Sequence, residues 1–593
     1  MSIRSIFPPI LASLLLTIAV SAATPSIEYK IQIKETDLSG FDVEMLVPRV
    51  RGTLRIAMAA HPEYDDRYWR YIENFSATDR RGRALPFTKE EDTVWRIENA
   101  RGETLVRYRL HLPAQQPGSI RDAWKPFLTP DGGMIGDLHS LMYVVGDTSR
   151  RARLTLSMPD GWKAASGLEP TRDPRVFTGT VELMLDSPLL VGSISEHDFR
   201  AAGVLHKIVF WSPPDGPAFD VHAIVAHVQK LSEEAIRAFG PPPYPRYAFL
   251  FQNGGQAALE HLTSVNLGVE RNLEDLVEET AHEYVHVWNL MDVRPRERVG
   301  VQFRFADPTG VLWWNEGATI MFADMLIRRA GLPREPRTRL KRLESEIVRY
   351  LSSPGYYTMS AEQVSRGDSH PILLGDSFAS THLQGEVLST MLDFKIRDAT
   401  DGQRNVVDVM RLLAQRFDFR HGITNRDIEK AVADVCSCDI HPFFRDYIYA
   451  AKKIDFDQYF GLIGVRPEIG TAPAVGRDGS PIPDLRIGPQ SPEGPLKIRI
   501  SNSESAWARA GLRTGDSLVS INGTPMNTWS DLRRWLLAAK IGDVPRVVVI
   551  REGITKQVDV AVNGYIIPDV HLVELSSATP KQMRLRAAWS NAN

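Results

Sequence analysis

Cysteine is almost absent: Cys436 and Cys438 are the two in 593 residues. That excludes a disulfide-stapled scaffold, so stability has to come from large cores. One intervening residue makes a strained loop for a disulfide. Cys-x-Cys also suits a metal, but with no further cysteine the pair is expected to be two small buried residues in a helix-to-helix turn. An excess of one charge is missing too. The 70 Lys and Arg against 73 Asp and Glu leave a net charge of −3, which gives no electrostatic reason to expect a nucleic-acid partner. Long basic or acidic blocks, internal repeats and low-complexity tracts are absent from the rest of the chain. After the first two dozen residues no apolar run is long enough to span a bilayer, so the mature chain is expected to carry no membrane span. What is there is ordinary for globular protein, 43% hydrophobic and 24% charged residues, over a length that suits roughly three or four domains.

Residues 1–23 have the pattern of a signal peptide. Arg4 gives a short positive start, and Ile10 to Val20 is apolar apart from Ser13 and Thr17. Val20-Ser21-Ala22-Ala23 offers small residues for cleavage. The expectation is an exported protein of a bacterial periplasm, or one secreted further.

From 24 to 203 the pattern is short and alternating, as in Tyr29-Lys30-Ile31-Gln32-Ile33 and Leu105-Val106-Arg107-Tyr108-Arg109-Leu110. Pro, Gly and Asp clusters separate the runs, which predicts an all-β, sandwich-like domain with no chemistry of its own. From 204 to 456 a small sheet gives way to helices. Val221 to Phe239, Ser377 to Arg397 and Val406 to Phe417 have helical spacing. Ala257 to Ser264 suits an edge strand. From 457 to 565, a Pro- and Gly-rich stretch between Pro467 and Pro495 is followed by Ala510-Gly511-Leu512, Gly515-Asp516 and Ile521-Asn522-Gly523. Those segments, in that order, resemble a bacterial PDZ domain. The resemblance implies capture of an extended peptide or a protein C-terminus by strand addition. Residues 566–593 are left as a C-terminal tail. The fold class is therefore multidomain α+β.

The chemistry is concentrated in Glu279-Thr280-Ala281-His282-Glu283-Tyr284-Val285-His286. His282 and His286, four apart on one helix, project from the same face and can share a zinc ion. Glu283 beside the first can hold a water against that ion. A third ligand is needed, and Glu316, thirty positions after His286 in Trp313-Trp314-Asn315-Glu316-Gly317, is the candidate. Glu260, on the expected edge strand, suits either a peptide's α-amine or plain solvent.

These segments together resemble the glycyl aminopeptidase family of gluzincin (thermolysin-like) zinc metallopeptidases, in which a PDZ domain often follows. The matching residues are His282 to Asn289 with Arg294-Pro295, then Trp313 to Thr319, and upstream Leu259-Glu260-His261 with Ser264. The resemblance implies one zinc held by His282, His286 and Glu316, Glu283 as general base, and Glu260 as anchor for the substrate's amine. The implied activity is removal of N-terminal residues, small or acidic ones among them, from peptides. Three departures stand out, one of them Met321-Phe322 where the family has an aromatic pair. Thr381-His382-Leu383-Gln384-Gly385 lies where the family has Tyr-Tyr-x-Lys-Gly, so His382, or else Tyr356 or Tyr357, has to supply the tyrosine's oxyanion contact. Ala257-Ala258 replaces two glycines. The alternative function is a weakly active or inactive member that binds peptides through its cleft and PDZ domain.

Overall fold

A computed structural model of the chain describes residues 26–59, 67–114, 120–216, 219–269, 272–300, 308–353, 355–367, 379–490, 496–500 and 502–592. The expected signal peptide lies outside the described residues.

The N-terminal part is built on a nine-stranded sheet. Its long strands Asp37–Met58 and Val94–His111 run antiparallel. Alternation does what it should: Phe41, Val43, Met45 and Val47 are buried, while Asp42 and Glu44 between them are partly open to solvent. A second, four-stranded sheet contains Pro188–Gly192 and Gly132–Gly136. Both of its faces are covered. Leu189, Val191 and Ile135 join the core of the large sheet, whereas Leu190 and Met134 pack with Trp211 and Leu250 of the next domain. A strand buried on both faces reads as a continuous apolar run, and Pro188-Leu189-Leu190-Val191-Gly192 is one.

The next sheet has five strands in the order Ile194–Ala201, Val204–Trp211, Arg246–Gln252, Ser264–Gly268, Ala258–Glu260. Its first two strands form a hairpin turned by Ala202 and Gly203, at φ 46° and 84°. A domain boundary at 203 therefore cuts that hairpin, and the strand before it belongs with the sheet that follows. Ala258–Glu260 is the edge, as expected, though three residues long. Helices pack on this sheet. Val221–Phe239 is capped by Asp220, which accepts from the Ala223 amide at 2.9 Å, and it buries Ile224, Val228, Leu231 and Ala235. Trp288, Trp313 and Trp314 lie fully buried in the same core.

Cys436 and Cys438 are a disulfide, which corrects the expectation of two separate thiols. Ser437 takes a left-handed conformation, φ 50°, at the end of helix Asn425–Cys436 and turns the chain back on itself. The two Cα atoms then stand 5.1 Å apart, inside the range a disulfide spans.

The PDZ region carries a four-stranded sheet with helix Trp529–Ala538 and a core around Trp507. The Pro- and Gly-rich stretch is less linker-like than its composition: Val465–Pro473 is a strand paired antiparallel with Ile566–Glu574. The last residues also fold. Helix Pro580–Ser590 returns to the helical domain and buries Leu585 and Trp589 there. Helix Thr381–Ala399 is shorter at its start than the expected run from Ser377, which lies outside the described residues. Among the described residues, no helix is long and apolar enough to cross a membrane.

Candidate metal centre

Helix Leu273–Val285 starts at Asn272, whose side chain accepts from the Asp275 amide at 3.0 Å, and Glu274 and Asp275 sit in its first turn. Leu276, Val277, Ala281 and Tyr284 hold its inner face in the core. The Tyr284 hydroxyl meets His206 Nε2 at 2.8 Å behind the helix. On the other side His282 and His286 turn their Nε2 atoms to within 3.0 Å of each other. His286 Nδ1 lies 3.1 Å from the Asn289 carbonyl. A carbonyl only accepts, so Nδ1 carries a proton and Nε2 faces the centre.

Glu316 comes from Trp313–Ala318, a wide turn ahead of helix Thr319–Arg329. Asn289 ties this turn to the end of the histidine helix. Its Nδ2 donates to the Trp314 carbonyl and to Thr319 Oγ1, each at 3.0 Å, and Asn315 Nδ2 donates back to Asn289 Oδ1 at 3.3 Å. Glu316 Oε2 is thereby held 3.4 Å from His282 Nε2 and 3.3 Å from His286 Nε2. His382 Nε2 approaches the same oxygen to 3.2 Å. That approach depends on two glycines: a Cβ on Gly385 would stand 1.9 Å from the Trp313 carbonyl oxygen, and one on Gly317 would stand 2.2 Å from the Gly385 Cα.

The charges agree with a cation site. Burial, then the neighbouring His286 ring, pushes the His282 imidazole down to about 4, so it is neutral. Burial also works against a charge on His286, but the Glu316 carboxylate outweighs it and holds a proton there well above the ordinary imidazole range. Glu316 in turn resists its own burial through His286 and the other rings, and stays ionised well below the usual range. A buried carboxylate and two imidazoles facing it form a donor set that fits a divalent metal. Zinc, with its preference for nitrogen and carboxylate oxygen, suits it.

Glu283 and Glu260 are buried beside this set. Burial first, and the Glu260 charge second, raise the Glu283 carboxyl well above its ordinary range. Glu260 ends the edge strand, opposite Val265. Its segment is held from the N-terminal domain. Asp186 accepts from the Leu262 amide at 2.8 Å and lies 3.4 Å from His261 Nδ1, and the Ala123 amide donates to the Gln256 carbonyl at 2.9 Å. So the β domain, expected from sequence to shape one wall of a cleft, also positions a site residue. Ala257 sits at φ 56°, a conformation that favours the glycine it replaces.

The structure thus brings together His282, Glu283, His286, Glu316 and His382, with Glu260 alongside. Tyr356 is used otherwise: its hydroxyl accepts from the Ser380 amide at 3.2 Å and its ring stacks on Tyr350. Tyr357 faces Tyr350 and the Lys453 ammonium. Asn289 and Asp186 had no role in the sequence reading. Asn289 carried a usable signal, a polar residue inside an apolar helical run; Asp186 carried none.

Residues 28–193 match the M61 peptidase N-terminal domain, residues 275–385 the M61 glycyl aminopeptidase, and residues 483–562 a PDZ domain. No curated protein matches the chain's sequence. Among solved structures, an aminopeptidase N family protein from Idiomarina loihiensis is 20% identical with a TM-score of 0.75, over 94% of this chain and 99% of that one. An M1 zinc metallopeptidase from Deinococcus radiodurans is 14% identical with a TM-score of 0.46, over 73% of this chain and 95% of that one. The first shares the fold across nearly the whole length.

Proposed function

From a chain that carries the M61 N-terminal, M61 glycyl aminopeptidase and PDZ domains in that order, and is by that a metallopeptidase, we infer an exported zinc aminopeptidase of peptides. The observation that carries this reading is the convergence of His282, His286 and Glu316 on one point, with Glu283 and Glu260 buried beside it.

His282 and His286 through Nε2, and Glu316 through Oε2, would hold the metal. A zinc ion there supplies Lewis-acid polarisation of the scissile carbonyl and a more acidic water. Glu283 takes a proton from the attacking water. Buried beside the set, it can then hand that proton to the leaving nitrogen. Glu260 binds the substrate's α-ammonium by charge-assisted hydrogen bonds. The edge strand Ala258–Glu260 aligns the peptide backbone. An amine fixed at one end sets which carbonyl reaches the centre, so residues leave one at a time. Small or acidic N-terminal residues are the first substrates to try. The PDZ domain would hold a peptide or a protein C-terminus. A second reading, a member that binds peptides without turnover, is favoured by one observation: His382 stands where the family resemblance puts a tyrosine.

The test uses the zinc-loaded full chain, Glu283→Gln, and matched peptides with free and acetylated N-termini. The expected result is stepwise release of N-terminal residues from the free peptides only. Glu283→Gln should retain zinc and lose roughly 10³-fold or more of the rate. Equal cleavage of both peptide sets overturns the aminopeptidase reading. Zinc with no turnover in the parent moves the assignment to peptide binding.

A further inference from the structure

We propose that His382 is a fourth protein donor to the metal in the resting site, closing it until the imidazole swings aside. This rests on the zinc reading above.

Three observations carry it. The first is spacing. His382 Nε2 is 3.2 Å from Glu316 Oε2, alongside 3.3 and 3.4 Å from that oxygen to the other two imidazoles. Tetrahedral zinc with nitrogen and oxygen donors spaces them roughly 3.4 Å apart. His282, Glu316 and His382 each offer a ligand atom within 4.8 Å of the others, a set to which His286 does not belong, and the His382 ring lies nearly parallel to that of His282, at 21°. The second is anchorage. The amide of Ser380 donates to the buried Tyr356 hydroxyl just before His382. Three residues after it, Gly385 is pressed against the Glu316 turn. The ring is therefore set over Glu316 by backbone on both sides. The third is exposure. The side chains of His282, His286 and Glu316 are 14%, 2% and 7% exposed, and that of His382 is 50% exposed. It is the donor with room to leave.

The residue type matters here. A tyrosine at this place is protonated at neutral pH and serves as a hydrogen-bond donor. A histidine offers a lone pair, the commonest metal ligand among side chains. Four protein donors make a closed site and three an open one, so the swing of His382 would be the step that admits substrate.

The experiment compares the full chain with His382→Ala, His382→Gln and His286→Ala. Zinc affinity is measured by competition with a chelator, the visible spectrum is recorded with cobalt(II) in place of zinc, and circular dichroism checks the fold. His382→Ala and His382→Gln should each weaken zinc binding about 100-fold, at or beyond the upper end for lost outer contacts. Both should change the cobalt bands as a solvent oxygen replaces a nitrogen. Zinc affinity within threefold of the parent, with an unchanged cobalt spectrum in His382→Ala, overturns the proposal and leaves His382 as a hydrogen-bond donor only. His286→Ala separates the two readings. If it too keeps full affinity, the metal centre itself is wrong, whereas loss in His286→Ala alone sinks only the fourth donor.

Discussion

Glu260 and Glu283 are two carboxylates buried at one site, and the Glu260 charge makes Glu283 harder to ionise. The base must be ionised to accept a proton, so activity falls on the acid side as Glu283 takes one up. Glu260→Gln removes a negative charge from beside it, which lowers the proton affinity of Glu283. The acidic limb of the kcat/KM profile should therefore move to lower pH. The same change costs the amine its partner, roughly 10- to 100-fold in kcat/KM for free peptides. An unmoved limb would mean that the two groups do not sense each other. At this scale the sequence was most legible where one helix carried the information. His282, Glu283 and His286 follow from 3.6-residue spacing. Glu260 was ambiguous until its neighbours resembled a family segment. Asp186 was invisible, because nothing at the end of the short helix Val181–Leu185 announces which amide 76 positions later it will hold.

Between elements, the decisive contact is glycine on glycine. Helix Thr381–Ala399 and the Glu316 turn meet where Gly385 and Gly317 leave no space for a methyl group. Gly385→Ala would drive Cβ into the Trp313 carbonyl, a backbone atom that cannot step aside. The expected loss is about 3 kcal/mol, seen as a fall in Tm of roughly 6–12 °C, together with weaker zinc binding as His382 and Glu316 separate. Gly461→Ala, with nothing within 4 Å, is the matched control and should melt like the parent. An unchanged Tm in Gly385→Ala would show that the two elements are not locked. Element types came through well from the sequence: the alternating runs formed strands, the helically spaced runs formed helices, and the PDZ segments formed a small sheet with a helix. Their ends did not. The five-stranded sheet captures Ile194–Ala201 because a two-residue turn joins it to Val204–Trp211, and pairing of that kind outweighs any shift in composition.

For the whole molecule, the chain leaves the helical domain along Val465–Pro473, builds the PDZ domain, and comes back along Ile566–Glu574. Composition marked the first strand as linker and the second as the start of a tail, since each lacks its partner until the chain has travelled about a hundred residues. The return is fastened by the last helix. Trp589 packs edge-on against Phe394, with the Arg339 guanidinium over its ring, and Arg339 Nη1 donates to the Trp589 carbonyl at 2.8 Å. Arg339 also pairs with Asp324, 3.0 Å away on the helix that follows Glu316. The end of the chain is thereby joined to the helix behind the metal centre. Trp589→Ala removes a buried indole and should cost about 3–5 kcal/mol. It should lower the Tm of the domain that holds the site by about 10 °C, with kcat and KM of the surviving folded protein near those of the parent at 25 °C. The PDZ sheet has its own core around Trp507 and should melt independently of the change. A Tm equal to the parent's would mean that the helix lies on the surface without bearing on it. A fall in activity with no fall in Tm would mean that Arg339 and Asp324 carry the loss of Trp589 to Glu316 without loosening the domain.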